Sequence, residues 1–159
     1  MPPSGKAAFA FSALVLSLVV AADAFAGDAS ASGGATLTAN VVGLRNNKGR
    51  VGCVLFNSAD GFPNDRGKVF RRASGPIHDG SASCEFGPLP GGTYAVVYFH
   101  DEDMTGKMRK NWMGIPQEEF GFSNDVRVKI TTPSFEATSF PHDSQSQVLT
   151  LHPQYMGSD

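Results

Sequence analysis

Hydrophobic and polar residues alternate in short runs along most of the chain. Within ATLTANVV (residues 35–42), Ala35, Leu37, Ala39 and Val41 share one side, and Thr36, Thr38 and Asn40 the other. A period of two marks a half-buried strand, because successive side chains of an extended backbone leave opposite faces. The pattern returns in RVGCVLF (50–56), with Val51, Cys53 and Leu55 on one side. It returns again in SASCEF (81–86), where Ala82, Cys84 and Phe86 oppose Ser81, Ser83 and Glu85. TYAVVYF (93–99) is apolar on both faces and predicts a central, fully covered strand. DVRVKI (125–130) alternates with Val126, Val128 and Ile130 expected inward, and QVLTL (147–151) predicts the last strand.

The segments between these runs read as turns. Asn47-Lys48-Gly49 tolerates positive φ and predicts a hairpin loop, and Asp79-Gly80 predicts a tight hairpin joining PIH (76–78) to SASCEF. Pro76 would confine its short strand to a sheet edge. DRGKVFRRA (65–73) has room for a couple of helical turns at most, and TTPSFEATSF (131–140) for one more short strand. Short strands with turn signals every eight to twelve residues or so predict an all-β fold, an antiparallel sandwich.

The N-terminus has a different pattern. Lys6 precedes an apolar run from Ala7 to Val20, and Ala24-Phe25-Ala26 is a small-x-small cleavage site. This is the layout of a secretory signal peptide, residues 1–26, cleaved near Ala26 to release the protein to the periplasm or beyond. GDASASGG (27–34) is a flexible lead-in, and residues 35–159 form one domain. No second long apolar segment follows, so the mature chain is expected to lack a transmembrane span and to be a monomer. The net charge of −2 and pI near 6.0 give no general attraction to nucleic acid. Arg66, Lys68, Arg71 and Arg72 cluster, first as a solvated face and otherwise as a local anion patch. Cys53 and Cys84, an even pair in an exported domain, both fall on apolar strand faces and predict a disulfide inside the core. Closing that loop stabilises by roughly 3 to 4 kcal/mol in the chain-entropy model.

From His100 to Asn124 no strand pattern appears. Met104, Met108, Trp112, Met113, Ile115, Phe120 and Phe122 are too much apolar surface to leave in water, so this long loop is expected to be ordered. One expectation is a structural cover plugged into the sandwich by Trp112, with Met104, Met108 and Trp112 spaced for one or two helical turns. The other is a recognition surface built from His100, Trp112, Phe120 and Phe122, whose partner would be an extracytoplasmic protein or a glycan. Asp101, Asp103 and Thr105 before Gly106 resemble the first half of a calcium loop. Arg109 and Trp112 break its second half, unless Glu118 or Glu119 folds back. Without an ion, Asp101 and Asp103 would cap Asx-type turns. No cofactor is expected otherwise, and no catalytic constellation stands out. Ser123 lacks the second glycine of a nucleophile elbow, and the four histidines never pair at metal spacing. A hydrolase using Asp101, Asp103, Glu118 and Glu119 is the distant alternative.

The opening LTANVVGLRNNKGRVGCVLFN, the segments NSADGFP and GPLPGGTYAVVYFHDED, then GIPQEEFGFSND and PSFEATSF together resemble one family. It consists of exported bacterial proteins and is denoted domain of unknown function 2141 (DUF2141). Its members read as a glycine-ending turn, TYAV, HDEN, a short gap, G-I-P-x-E and G-F-S-N. His100 and Asp101, Gly114 to Pro116, and Gly121 to Asn124 stand at the matching positions. The resemblance implies a secreted seven-stranded sandwich of the transthyretin-like or prealbumin-like (Ig-like) group, and no activity. The family loop usually reads D-x-N-x-N-G-x-x-D. Here Thr105 and Arg109 stand at its third ligand position and its last acidic position, so a carboxylate is lost and a repelling charge gained.

Overall fold

The computed structural model describes residues 35–143 and 145–156; the signal peptide and the lead-in lie outside the described residues. Among the described residues there are eight strands rather than seven. They are β1 (Ala35–Val42), β2 (Arg50–Phe56), β3 (Arg71–Pro76), β4 (Ser81–Leu89), β5 (Gly92–Asp101), β6 (Phe120–Phe122), β7 (Phe140–His142) and β8 (Gln147–Leu151). One sheet has the order β4-β1-β8 and the other β3-β2-β5-β6, with β7 pairing the first residues of β5. The pairing is antiparallel except for β1 with β8, which is parallel.

The alternating residues meet between the sheets as their period requires. Leu37, Ala39 and Val41 of β1 and Ala82, Cys84 and Phe86 of β4 pack on Val51, Cys53 and Leu55 of β2 and Tyr94, Val96 and Tyr98 of β5. The Cys53–Cys84 disulfide links the two sheets through this core. Close approaches require glycine at Gly75 and Gly121, among others. A Cβ on Gly75 of β3 would lie 2.1 Å from the Ser83 carbonyl oxygen of β4 in the facing sheet, and one on Gly121 would lie 2.3 Å from the Tyr98 hydroxyl.

Four expectations are corrected. Asn47-Lys48-Gly49 does not close a hairpin, because β1 and β2 belong to different sheets and residues 43–49 cross between them. The strand expected at PIH begins earlier, at Arg71, and ends on Pro76; it is the sheet edge, and only a 3-10 turn at Arg66–Lys68 precedes it. The Asp79-Gly80 turn is as expected, with both residues at positive φ inside a His78–Ser81 bridge. DVRVKI is not a strand. Asn124 and Asp125 take φ of 61° and 51°, which turns the chain away from the sheet, and Ile130 is 95 % exposed. Finally, TTPSFEATSF makes a helical turn (Phe135–Thr138) before β7.

Candidate functional site

The loop between β5 and β6 has two parts with opposite chemistry. Its base is charged and buried. Asp101 and Glu118 are 1 % and 0 % exposed, and Glu119 and His100 are buried beside them. Buried carboxylates are costly unless hydrogen-bonded and paired, and the partners come from three segments. From the 43–49 crossing, the Arg45 amide donates to Glu119 Oε2 at 3.0 Å, and the Arg45 guanidinium donates to Glu102 Oε1 at 2.6 Å while lying over the Tyr155 ring. From β2, Arg50 Nε donates to Asp101 Oδ2. From the loop itself, the amide and Nε of Arg109 donate to Glu118 at 3.0 and 3.1 Å, and the Glu102 amide adds a third bond.

The first half of the calcium-like motif is folded by Asx-type contacts. The amide and hydroxyl of Thr105 donate to Asp103 Oδ1, and the Gly106 amide donates to Asp101 Oδ2. Glu118 does fold back: ligand atoms of Asp101, Asp103 and Glu118 lie within 4.8 Å of one another. The Thr105 hydroxyl is turned onto Asp103. Asp101 Oδ1 is buried with no hydrogen-bond partner. Beside these acids sits Arg109, with Nε 3.5 Å from Asp103 and Nη2 3.5 Å from Glu102. The charges set the protonation. Burial alone would raise the Glu102 carboxyl, but hydrogen bonds from Arg45 and Asn46 and the Arg45 charge outweigh it and hold it below the usual carboxylate range. The Thr105 hydroxyl lowers Asp103 in the same sense.

The tip is apolar and exposed. Asn111 builds it: its Oδ1 accepts from the amides of Met113 and Ile115, its carbonyl accepts from Gly114, and its amide donates to Ile115. A Lys110–Pro116 bridge and the bond from Gln117 N–H to the Arg109 carbonyl close the neck. Gly114, at φ 81°, permits the reversal. The result is a short pinned finger carrying Trp112 at 91 % exposure and Met113 at 58 %. The structural cover with Trp112 as its plug is therefore overturned, and neither helical turn forms at Met104, Met108 and Trp112.

Beside the finger, the outer face of the β3-β2-β5-β6 sheet stays open. Opposite the core-facing residues, Gly52 and Val54 of β2 lie in register with Phe99 and Val97 of β5, and these with Phe120 and Phe122 of β6. The Phe99 ring leans over Gly52, where a Cβ would meet it at 3.2 Å. Residues 107–116 on one side and Val128, Ile130 and Thr132 on another enclose a groove of about 610 Å3 over this floor. Further along the same face, Phe62 packs edge-on against Phe56, Phe122 and Phe135.

The four residues of the expected recognition surface thus part company. Trp112 is displayed; Phe120 and Phe122 are buried at the border of the groove floor and offer little contact area. His100 is not a contact residue at all. Its Nε2 faces the Lys48 carbonyl at 2.7 Å and its Nδ1 faces Glu119 at 3.0 Å, so it pins the 43–49 crossing to the loop base. Ser123 is fully buried, donating to the Thr138 carbonyl and accepting from the Val96 amide, while Asn124 donates to the Ser139 carbonyl. The GFSN sequence is a structural clasp. The groove went unread in the sequence, since its floor comes from three strands far apart in the chain. Its signal was the outward-facing Val54, Val97 and Phe99 in strands already apolar on both sides.

No curated protein and no solved structure matches the chain. The family described as an uncharacterized protein conserved in bacteria (DUF2141) matches it over residues 39–150, from within β1 to within β8. That span includes both sheets, the disulfide and the whole β5–β6 loop. The chain therefore belongs to the DUF2141 family.

Proposed function

We propose that the protein is an exported, non-catalytic binding module that recognises its partner with the finger of the β5–β6 loop. The observation that carries this reading is Trp112, held 91 % exposed at the end of a hydrogen-bonded turn. Rigid display of a large aromatic side chain lowers the ordering cost of association, and such residues dominate interfaces. Support for a non-catalytic role comes from the polar groups of the loop base. His100, Glu118, Glu119 and Ser123 are buried and engaged with protein partners, which leaves none of them free to attack or to transfer a proton to a substrate. The disulfide is in keeping with an oxidising compartment.

The test is a photo-cross-linking residue placed at position 112, in cells that export the protein. An adduct should form there and be absent from the same probe at Val148, which is 63 % exposed on the other sheet. Equal yields at both positions, or none at 112, would remove the reading.

A second reading has its own observation. The clustered oxygens of Asp101, Asp103 and Glu118, with Asp101 Oδ1 unpartnered, favour a module stiffened by calcium. Arg109 on Glu118 opposes it. Calcium added to the chelator-treated protein should then raise its melting temperature; an unchanged transition eliminates the ion.

A further inference from the structure

We propose that the groove beside the finger binds a single-chain amphiphile with a carboxylate head, an inference that rests on the binding-module reading and gives it a ligand class. The floor is aliphatic and aromatic: Val54, Val97 and Phe99, each only partly covered. Met113 and Ile130, 58 % and 95 % exposed, stand on the groove's walls, so apolar surface continues from floor to lip. Apolar patches left open in this way mark sites that something else covers.

The charge around that floor has one sign. Among the described residues, Arg66, Arg72, Lys107 and Lys110 line the groove, and no aspartate or glutamate does. Among the described residues none of the four lies within ion-pair distance of a carboxylate. Overall composition does not account for this, because the chain as a whole carries −2. Nor does neglect of pairing, since Arg45, Arg50 and Arg109 of the loop base all have acidic partners. Two of the groove cations are also held in place: Arg66 Nη2 donates to the Gly106 carbonyl, and Arg72 Nη2 to the Arg66 carbonyl at 2.7 Å. Each guanidinium has five N–H donors, so most remain for an anion.

The shape chooses among anionic ligands. The volume lies within the range of small-molecule sites. β2 and β5 in the middle of the floor are paired on both sides, and β6 at its border is bridged to Gln154 at Phe120, so the strands of the floor leave little edge for the backbone of an added peptide. Of the aromatic rings that line the groove, Tyr98, Phe120 and Phe122 are buried and only Phe99 is open, which is not the series of stacking rings that single-stranded nucleic acid needs. A hydrocarbon chain along Val54, Val97 and Phe99 with its carboxylate among the four cations satisfies both surfaces.

Calorimetric titration of the protein with laurate below its micelle concentration, with backbone amide shifts recorded in parallel, tests the assignment. Laurate should bind once per chain, shift the amides of Gly52, Val97 and Phe99, and weaken as salt is raised. The double variant Arg72→Gln/Lys110→Gln, its fold checked by circular dichroism, should lose about tenfold or more in affinity. Dodecyl maltoside binding as tightly as laurate would overturn the anionic head, and an absence of laurate binding would overturn the groove as the site. Stronger association with anionic phospholipid vesicles than with laurate would transfer the surface to a bilayer and overturn the free ligand. An adduct at position 112 that persists while laurate fails would leave the binding module standing and remove this inference alone.

Discussion

The base and the tip of the β5–β6 loop, neighbours in a single connection, reverse the usual placement of charge and apolar surface. At the base, Asp101, Glu118 and Glu119 are inside and bonded; at the tip, Trp112 and Met113 are outside and unpacked. The difference separates two jobs that a long loop must combine. Hydrogen bonds to charged groups are stronger and more directional than apolar contact, so they fix a loop where no strand ladder can. Apolar residues released from that work are free to meet a partner. Variants at the base should therefore change stability, and variants at the tip should change recognition.

Glu118→Ala should produce the largest effect. Its two oxygens accept three bonds, from the Glu102 amide and from the amide and Nε of Arg109, and the side chain is fully buried. Removing it leaves the Arg109 amide without an acceptor and the Glu102 amide with the His100 carbonyl alone, and costs about 3 kcal/mol, read as a lower urea midpoint. A loss below about 0.5 kcal/mol, the level of an ordinary surface site, would show that the base does not hold the loop.

Arg109 comes next. Its side chain is 46 % exposed, so Arg109→Ala should cost only about 1 kcal/mol. Arg109→Asp sharpens the comparison, because it removes the internal cation and puts a carboxylate beside Asp103 and Glu118. That variant should be less stable than the parent in chelator and regain stability in millimolar calcium. If calcium leaves its melting temperature unchanged, the acids of the base are a hydrogen-bonding scaffold with no geometry for an ion.

How much of this was legible depended on the range of the interaction. β1, β2 and β4 follow from period-two alternation and β5 from a run apolar on both faces, all local properties, β8 stands where QVLTL predicts the last strand, and the cysteines on matching strand faces meet across the core. The same rule failed at DVRVKI, where the αL turn at Asn124-Asp125 took precedence and the Val128 amide bonds the Gln154 side chain instead of a strand. Within the loop, the spacing of Asp101, Asp103 and Gly106 announced the Asx-type turns, and the residues needed for them are adjacent. The burial of Glu119 was not legible: its partners include Arg45, 74 positions away, and the β1–β2 crossing that carries Arg45 reads locally as a hairpin. Trp112 could be read either as a buried plug or as a displayed contact. Hydrophobicity alone sends an indole inward, and only the Asn111 turn turns it out.

Acid should loosen the base before the sandwich, by less than the Glu118 substitution. Glu102 and Asp103 are held below their ordinary values of 4.5 and 3.8 in the folded loop. Lowered folded values mean that their contribution is complete above those ordinary values and is lost as pH falls through the folded ones. Amide protection at Thr105 and Gly106, taken relative to the intrinsic exchange rate at each pH, should fall over that window while protection in β2 and β5 does not. A parallel loss of protection at the Met113 and Ile115 amides would show that the tip depends on the base.

Trp112→Ala should have the smallest effect on stability and the largest on recognition. The ring contributes almost no buried surface, so the urea midpoint should move by no more than about 0.5 kcal/mol in equivalent stability. Because Trp112 is the single tryptophan, intrinsic fluorescence reports on it alone. Emission from the unliganded protein should be that of a water-exposed indole and should be readily quenched by a soluble quencher. The same measurement discriminates between the two jobs of the loop: emission already shifted to the blue would place the ring against protein, returning the tip to packing and leaving the finger nothing to present.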